Sequence, residues 1–264
     1  MKKNKKNKFA VYLTTDEKYW KHSFVSISSL LEFNNSIDVF LIYFNINDDI
    51  LSLFKKNFGK KLILVKFKQK NFNRISYKIK GFYFRYFLPE QFNRYKKVLY
   101  IDSDTIICGN INKIFDTNLK KTIAVVREPN LPTNKMFYIG KLTSKRFNSG
   151  VLLINPKKYR SKRYLGKILK QSKNFKDKWG DQPIVNLVFK NDHQYINYKW
   201  NYVDKTVSNK KDYKILHFNN LKPWILNHKS KYTKLYRQYR RTIDPLFFYD
   251  NFSIKNILLK LINP

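Results

Sequence analysis

Short, strongly apolar runs recur along the chain, and segments with helical spacing separate them. Residues 8–13 (KFAVYL) make the first run and end in the polar turn Thr14-Thr15-Asp16. Residues 22–33 follow, with Val25, Ile27, Leu30 and Leu31 at helical intervals. Then come 38–44 (DVFLIYF), a helical candidate at 50–58, and 61–67 (KLILVKF). A continuous apolar run marks a strand covered on both faces, and strands alternating with helices build βαβ units around a mainly parallel sheet. The expected class is therefore α/β, Rossmann-like, with helices flanking a central sheet. Runs at 97–101 (KVLYI), 122–126, 150–155 (GVLLIN) and 213–218 extend it. A helix is expected over 181–190, with Ile184, Val185 and Val188 facing inward. Ligands in such sheets bind beyond the carboxyl ends of the strands, so the residues that follow each run are the candidates for chemistry.

Composition narrows the class further. Hydrophobic residues at 43% and aromatics at 17% of 264 residues supply a full core and exclude disorder. One Cys excludes a disulfide framework. No stretch approaches the roughly 18 apolar residues of a membrane span, and the apolar piece at 9–13 is too short for a signal-peptide core. The expectation is a cytoplasmic protein with one domain over 1–225 and a basic tail over 226–264. The 54 Lys+Arg against 18 Asp+Glu give a net charge of +36. Such an excess fits nucleic acid, an anionic membrane surface, an anionic substrate, or compositional drift in a chain rich in Lys, Asn, Ile, Phe and Tyr. The charge is scattered and no nucleic-acid motif accompanies it, so a nucleic-acid-binding protein is the second reading and no nucleic-acid partner is expected.

The most apolar strand, 97–101, runs directly into Asp102-Ser103-Asp104. Alternation in an extended segment sends Asp102 and Asp104 to one side and Ser103 to the other. Two carboxylates at a strand end can hold a divalent cation, and the cation a diphosphate. Chance alone supplies roughly 0.7 such triplets in this chain, so position at the strand end is what gives the motif weight. His217 closes a later strand and precedes Lys222 and Pro223-Trp224. Oxygen ligands alone suit Mg²⁺, whereas an added imidazole shifts preference toward Mn²⁺.

Five ordered blocks, VYLTTDEKYW, FRYFLPEQFNRYKKVLYIDSD, FNSGVLLIN, WGDQPIVN and HFNNLKPW, resemble glycosyltransferase family 8 over about residues 8–225. These are retaining nucleotide-sugar transferases of GT-A fold that include lipopolysaccharide α-galactosyl- and α-glucosyltransferases and glycogenin. The resemblance implies Asp102, Asp104 and His217 as metal ligands, with Mn²⁺ or Mg²⁺ as the ion. It implies Thr14, Asp16 and Tyr19 at the uracil and ribose, Asp102, Ser103 and Asp104 beside the ribose and diphosphate, and Arg85 on the donor. Asn148 would meet the sugar hydroxyls, Asp181 and Gln182 would line the donor sugar as the catalytic pair, and Lys222 would contact the diphosphate. Gln182, an amide and a poor nucleophile, is the family-matched side chain at the anomeric carbon, which favours front-face attack with retention. The implied partners are a UDP-sugar carrying galactose or glucose and a glycan or lipid-linked saccharide acceptor of lipopolysaccharide or other cell-surface glycan.

The chain also departs from the family pattern. HFNNLKPW is one residue shorter than the usual loop and has Asn where Gly is typical, which keeps a donor-binding but inactive member as a further alternative. Lys18 stands where an asparagine often helps hold the base, and Pro183 replaces a common acidic residue. Arg127-Glu128 follows the 122–126 strand where an Asp often reaches the sugar.

In the tail, Tyr232, Leu235, Tyr236 and Tyr239 form one apolar stripe among basic residues, and Ile254, Ile257, Leu258, Leu261 and Ile262 form another. A helix packed on the domain and an interfacial helix on an anionic membrane inner face both fit this pattern.

Overall fold

The computed structural model describes residues 9–68, 81–128, 146–174, 181–203, 212–219, 222–224, 231–241 and 243. Strand β1 (Phe9–Thr15) leads to helix α1 (Trp20–Phe33), strand β2 (Asp38–Tyr43), helix α2 (Asp48–Phe58) and strand β3 (Leu62–Lys66). Strands β4 (Lys97–Ile101), β5 (Thr105–Ile107), β6 (Ile123–Arg127) and β7 (Phe147–Ile154) follow. Helices α3 (Pro156–Ser161), α4 (Tyr164–Asn174) and α5 (Gln182–Val188) precede strands β8 (His193–Ile196), β9 (Tyr202–Val203) and β10 (Ile215–His217). Helix α6 (Lys231–Arg240) comes last among the described elements.

The main sheet has the order β3-β2-β1-β4-β7-β6-β8, and β5-β10-β9 form a smaller one. Among the described strands of the main sheet, only β7 runs against its neighbours. The apolar runs are continuous because both faces are covered. Val11, Leu13, Leu99 and Ile101 enter one core layer, and Ala10, Tyr12, Val98 and Tyr100 enter the other. Local signals set α2: Asn47 accepts a hydrogen bond from the Ile50 amide, Asp48 and Asp49 occupy the first turn, and Gly59 ends it at φ 50°.

Several boundaries differ from the sequence expectation, β7 beginning at Phe147 and not at 150 among them, and pairing explains two further cases. Thr14 and Thr15 belong to β1 because they pair with Ile42 and Tyr43, so the turn begins at Asp16. The 213–218 run contracts to β10, and the Phe218 amide leaves the strand to donate to the Asp104 carbonyl. Along β7 the pairing with β6 jumps from Val125↔Leu152 to Val126↔Asn148, so Ser149, Gly150 and Val151 bulge from the ladder at the sheet's carboxyl edge.

Helix α6 lies against α1. Tyr232, Tyr236, Tyr239 and Ile243 are buried in the core and Leu235 is partly buried against it. Tyr236 OH is 2.6 Å from His22 Nδ1, and Tyr239 OH donates to Glu32. The 232–239 stripe therefore faces the core and is not presented to lipid, whereas the 254–262 stripe lies outside the described residues. Among the described residues no helix is long and apolar enough to cross a membrane.

Candidate functional site

The strand ends meet where the sequence directs attention. Asp102 follows β4, and its amide donates to the Gly150 carbonyl on the β7 bulge at 2.8 Å. Ser103 turns toward α1: its hydroxyl donates to the Thr14 carbonyl (2.9 Å) and lies 2.7 Å from Ser23 Oγ. Ser26 Oγ sits 2.8 Å from Thr105 Oγ1, and Ser29 Oγ accepts from the Ile107 amide. Three buried serines at a spacing of three thus stitch α1 to residues 103–107, and they aim the two neighbouring carboxylates away from the helix.

Those carboxylates converge on His217. Asp102 Oδ1 accepts from Arg85 Nη1 at 2.8 Å and from Tyr100 OH, while Oδ2 lies 3.7 Å from His217 Nε2. Asp104 Oδ2 accepts from Lys222 Nζ, while Oδ1 lies 3.2 Å from His217 Nε2. One oxygen of each Asp and the imidazole nitrogen fall within 4.8 Å of one another. The cradle is closed from behind by Gly150, where a Cβ would lie 2.2 Å from His217 Cε1 and 2.7 Å from Asp102 Oδ2. A hard-oxygen pair plus one imidazole, with no room for a side chain behind it, fits a divalent cation. Burial pushes the Asp104 carboxyl up, but His217 and Lys222 together outweigh it and hold it below the usual carboxylate range. Burial raises Asp102 against the pull of Arg85.

Across the cavity the polar groups satisfy one another. Arg85, only 3% exposed, gives Nε and Nη2 to Asp181 at 2.5–2.8 Å and Nη1 also to the Ser149 carbonyl. Asp181 accepts from Tyr86 OH as well. Burial works against the guanidinium charge, yet Asp181 and the groups around it hold the Arg85 pKa well above its ordinary value. Gln182 is oriented from both ends: Oε1 accepts from the Ser149 amide at 3.1 Å, and Nε2 lies 3.3 Å from each oxygen of Glu128. Glu128 pairs with Arg146, while its neighbour Arg127 stacks over Tyr195. Burial raises the Glu128 carboxyl. Asn148 Oδ1 accepts from the Gly150 amide and from Asn201 Nδ2.

At the open end, Asp16 Oδ1 accepts from the Lys18 and Tyr19 amides and fixes the turn into α1. Tyr19 stands at the rim, 43% exposed. Lys222 also donates to the Phe218 carbonyl at 2.7 Å. Trp224 stacks on His22, with ring centroids 3.5 Å apart and 18° between the planes. Burial lowers the His22 pKa to about 3, so the ring is neutral where it meets Trp224 and Tyr236.

A cavity of about 670 Å³ joins these groups. Thr14, Asp16, Tyr19, Arg85, Asp102, Ser103, Asp104, Asn148, Asp181, Gln182, His217 and Lys222 all line it, so the residues singled out in the sequence come together in one place. Sequence reasoning missed Tyr86, Tyr100, Ser149, Gly150 and Asn201. Tyr100 sits two residues before Asp102 and thus on its side of the strand, and the Glu128 carboxyl was visible but unplaced. Asn201 carries no local signal.

Residues 10–227 match the family described as Glycosyl transferase family 8. The chain is 24% identical to glycosyltransferase GlyB of Streptococcus pneumoniae, over 96% of this chain and 64% of that one. It is 28% identical to GlyE of the same organism, over 74% and 48%. The chain thus spans about half to two thirds of the length of these relatives. A crystal structure of an LgtC active-site mutant superposes with a TM-score of 0.75 at 19% identity, covering 88% of this chain and 95% of that one. The GlyE crystal structure gives 0.69 at 24% identity, over 89% and 60%. A further match is LgtC in complex with donor and acceptor sugar analogs, at a TM-score of 0.74 and 19% identity over 89% and 96%.

Proposed function

The chain belongs to glycosyl transferase family 8, and we propose that it transfers a hexose, galactose or glucose, from a UDP-sugar to a glycan acceptor with retention of configuration. The observation that carries this reading is the convergence of Asp102 Oδ2, Asp104 Oδ1 and His217 Nε2 in a cavity that Gln182 and Lys222 also line. When bound there, a divalent cation supplies Lewis-acid stabilisation for a departing diphosphate. Asp102, Asp104 and His217 would hold it, with Mn²⁺ the preferred ion for a set that includes an imidazole.

The chain's own groups divide the remaining work. Lys222 brings a mobile positive charge to the place where negative charge develops, moving from Asp104 to the diphosphate. Thr14, Asp16 and Tyr19 form the wall proposed for the nucleoside. Asn148 and Gln182 present amides to the sugar. The carboxylates nearest Gln182 are both committed, Asp181 to Arg85 and Tyr86, Glu128 to Arg146 and the Gln182 amide. A double displacement needs a nucleophile free to attack the anomeric carbon, so these commitments favour front-face attack with the leaving diphosphate taking the acceptor proton. The acceptor is proposed to be a lipopolysaccharide or other cell-surface glycan, free or lipid-linked.

The test is UDP release across a panel of UDP-sugars, with Mn²⁺, with Ca²⁺ and with excess chelator. Turnover with UDP-galactose or UDP-glucose that chelation abolishes and Mn²⁺ restores better than Ca²⁺ supports the reading. Equal turnover in chelator removes the metal from it, and no turnover with any donor leaves the inactive family member as the better account.

A further inference from the structure

We propose that Asn201 is a positioning residue that fixes the imidazole of His217 so that Nε2 is its ligating atom; the inference rests on the metal-dependent reading above. The donors and acceptors are determined from one end of a short relay. The Gly150 N–H can only donate, and it donates to Asn148 at 2.9 Å, so the accepting atom is Oδ1. The Asn201 atom 2.8 Å from that same oxygen must then be its amide nitrogen. Asn201 Oδ1 is therefore the atom that faces His217 Nδ1 at 3.0 Å. A carbonyl oxygen cannot donate, so Nδ1 carries the hydrogen, and Nε2 is the nitrogen left between Asp104 Oδ1 at 3.2 Å and Asp102 Oδ2 at 3.7 Å.

Burial and backbone pairing make the relay rigid. Asn148, Asn201 and His217 are each 2% exposed. Strand β9 begins immediately after Asn201 and pairs in register with β10, Tyr202 opposite Leu216 and Val203 opposite His217. An acceptor behind a ligating histidine holds the ring orientation and raises the basicity of the ligating nitrogen, and its loss typically costs about 10–100-fold in metal affinity. Asn201 does not line the cavity, so its effect on the ion passes through His217.

The experiment is Mn²⁺ titration followed by electron paramagnetic resonance, on the full chain and on Asn201→Asp and Asn201→Leu, with thermal unfolding measured alongside. Asp retains an oxygen for the Nδ1 hydrogen, whereas Leu is of similar size and offers none. The expected result is a loss of Mn²⁺ affinity of about 10–100-fold in Asn201→Leu and a much smaller loss in Asn201→Asp. Unchanged affinity in Asn201→Leu, or equal losses in both variants, overturns the proposal while leaving the metal site standing. Failure of the unaltered chain to bind Mn²⁺ overturns the metal reading and this inference with it. A second measurement does not depend on either variant folding: ¹⁵N spectra of ring-labelled histidine in the unaltered chain should show a hydrogen on His217 Nδ1, and a bare Nδ1 overturns the proposal.

Discussion

At the cation end of the cavity, Asp102 and Asp104 each spend one oxygen on a positive side chain, Arg85 and Lys222 respectively, and keep the other turned toward His217. At the sugar end, Asp181 spends both oxygens on Arg85 and Tyr86, and Gln182 has both ends of its amide engaged. Two carboxylates brought face to face repel one another unless something cationic joins them, so the first arrangement is built to receive a charge. The second is already neutralised and bonded, which suits a wall that must keep its shape while a sugar passes. Like residue types therefore do different work, and the difference lies in what each oxygen touches.

The comparison breaks first at the C-terminal helix, because the cation end leans on it. Tyr236 in α6 meets His22, His22 stacks on Trp224, and Trp224 belongs to the segment that carries Lys222. Removing residues 229–264 takes three buried tyrosines out of the core, and losing one large buried aromatic already costs about 3–5 kcal/mol. The shortened chain should be insoluble or unfolded by circular dichroism. A soluble, fully folded product that has merely lost vesicle binding would return the 232–239 stripe to the membrane.

Next in size is Arg85→Met, which strands Asp181 and one oxygen of Asp102 in the interior. Leaving one partner of a buried ion pair alone costs about 3–5 kcal/mol, to be read from denaturant unfolding. A change under about 1 kcal/mol would mean that the sugar end is not the rigid network described. Asp104→Asn should keep the chain folded, at some cost for the lost pairing with Lys222 and His217, and lower UDP-sugar turnover about 100-fold or more, because the lost charge serves the ion. Near-normal turnover would make the Asp-Ser-Asp triplet structural. Ser103→Ala should have the smallest effect, about 1–2 kcal/mol of stability for a hydroxyl bonded to Thr14 and Ser23, with turnover close to that of the unaltered chain. A large catalytic loss would instead place Ser103 on the donor.

The same division governs what the sequence revealed. The α/β class and the positions of β4, Asp102, Asp104 and His217 were legible because strand ends carry chemistry in such sheets, and a run like KVLYI is unambiguous. Where Arg85 and Asp181 cluster was legible from the family blocks. That they bind each other was not, because a buried ion pair between residues 85 and 181 leaves no periodic trace. Asn201 and the buried Ser23, Ser26 and Ser29 were invisible for a related reason: their partners come from distant strands. Composition left the stripe of Tyr232, Tyr236 and Tyr239 undecided, because lipid and a core select the same apolar spacing, and packing against α1 decides it for the core.

The most direct test of the central claim is anomalous diffraction at the manganese edge from crystals grown with UDP and Mn²⁺. The account predicts one strong peak bonded to Asp102 Oδ2, Asp104 Oδ1 and His217 Nε2 at about 2.0–2.4 Å, with Lys222 withdrawn from Asp104. A Mn²⁺ peak elsewhere, or UDP in the cavity with no peak at these three atoms, would contradict it.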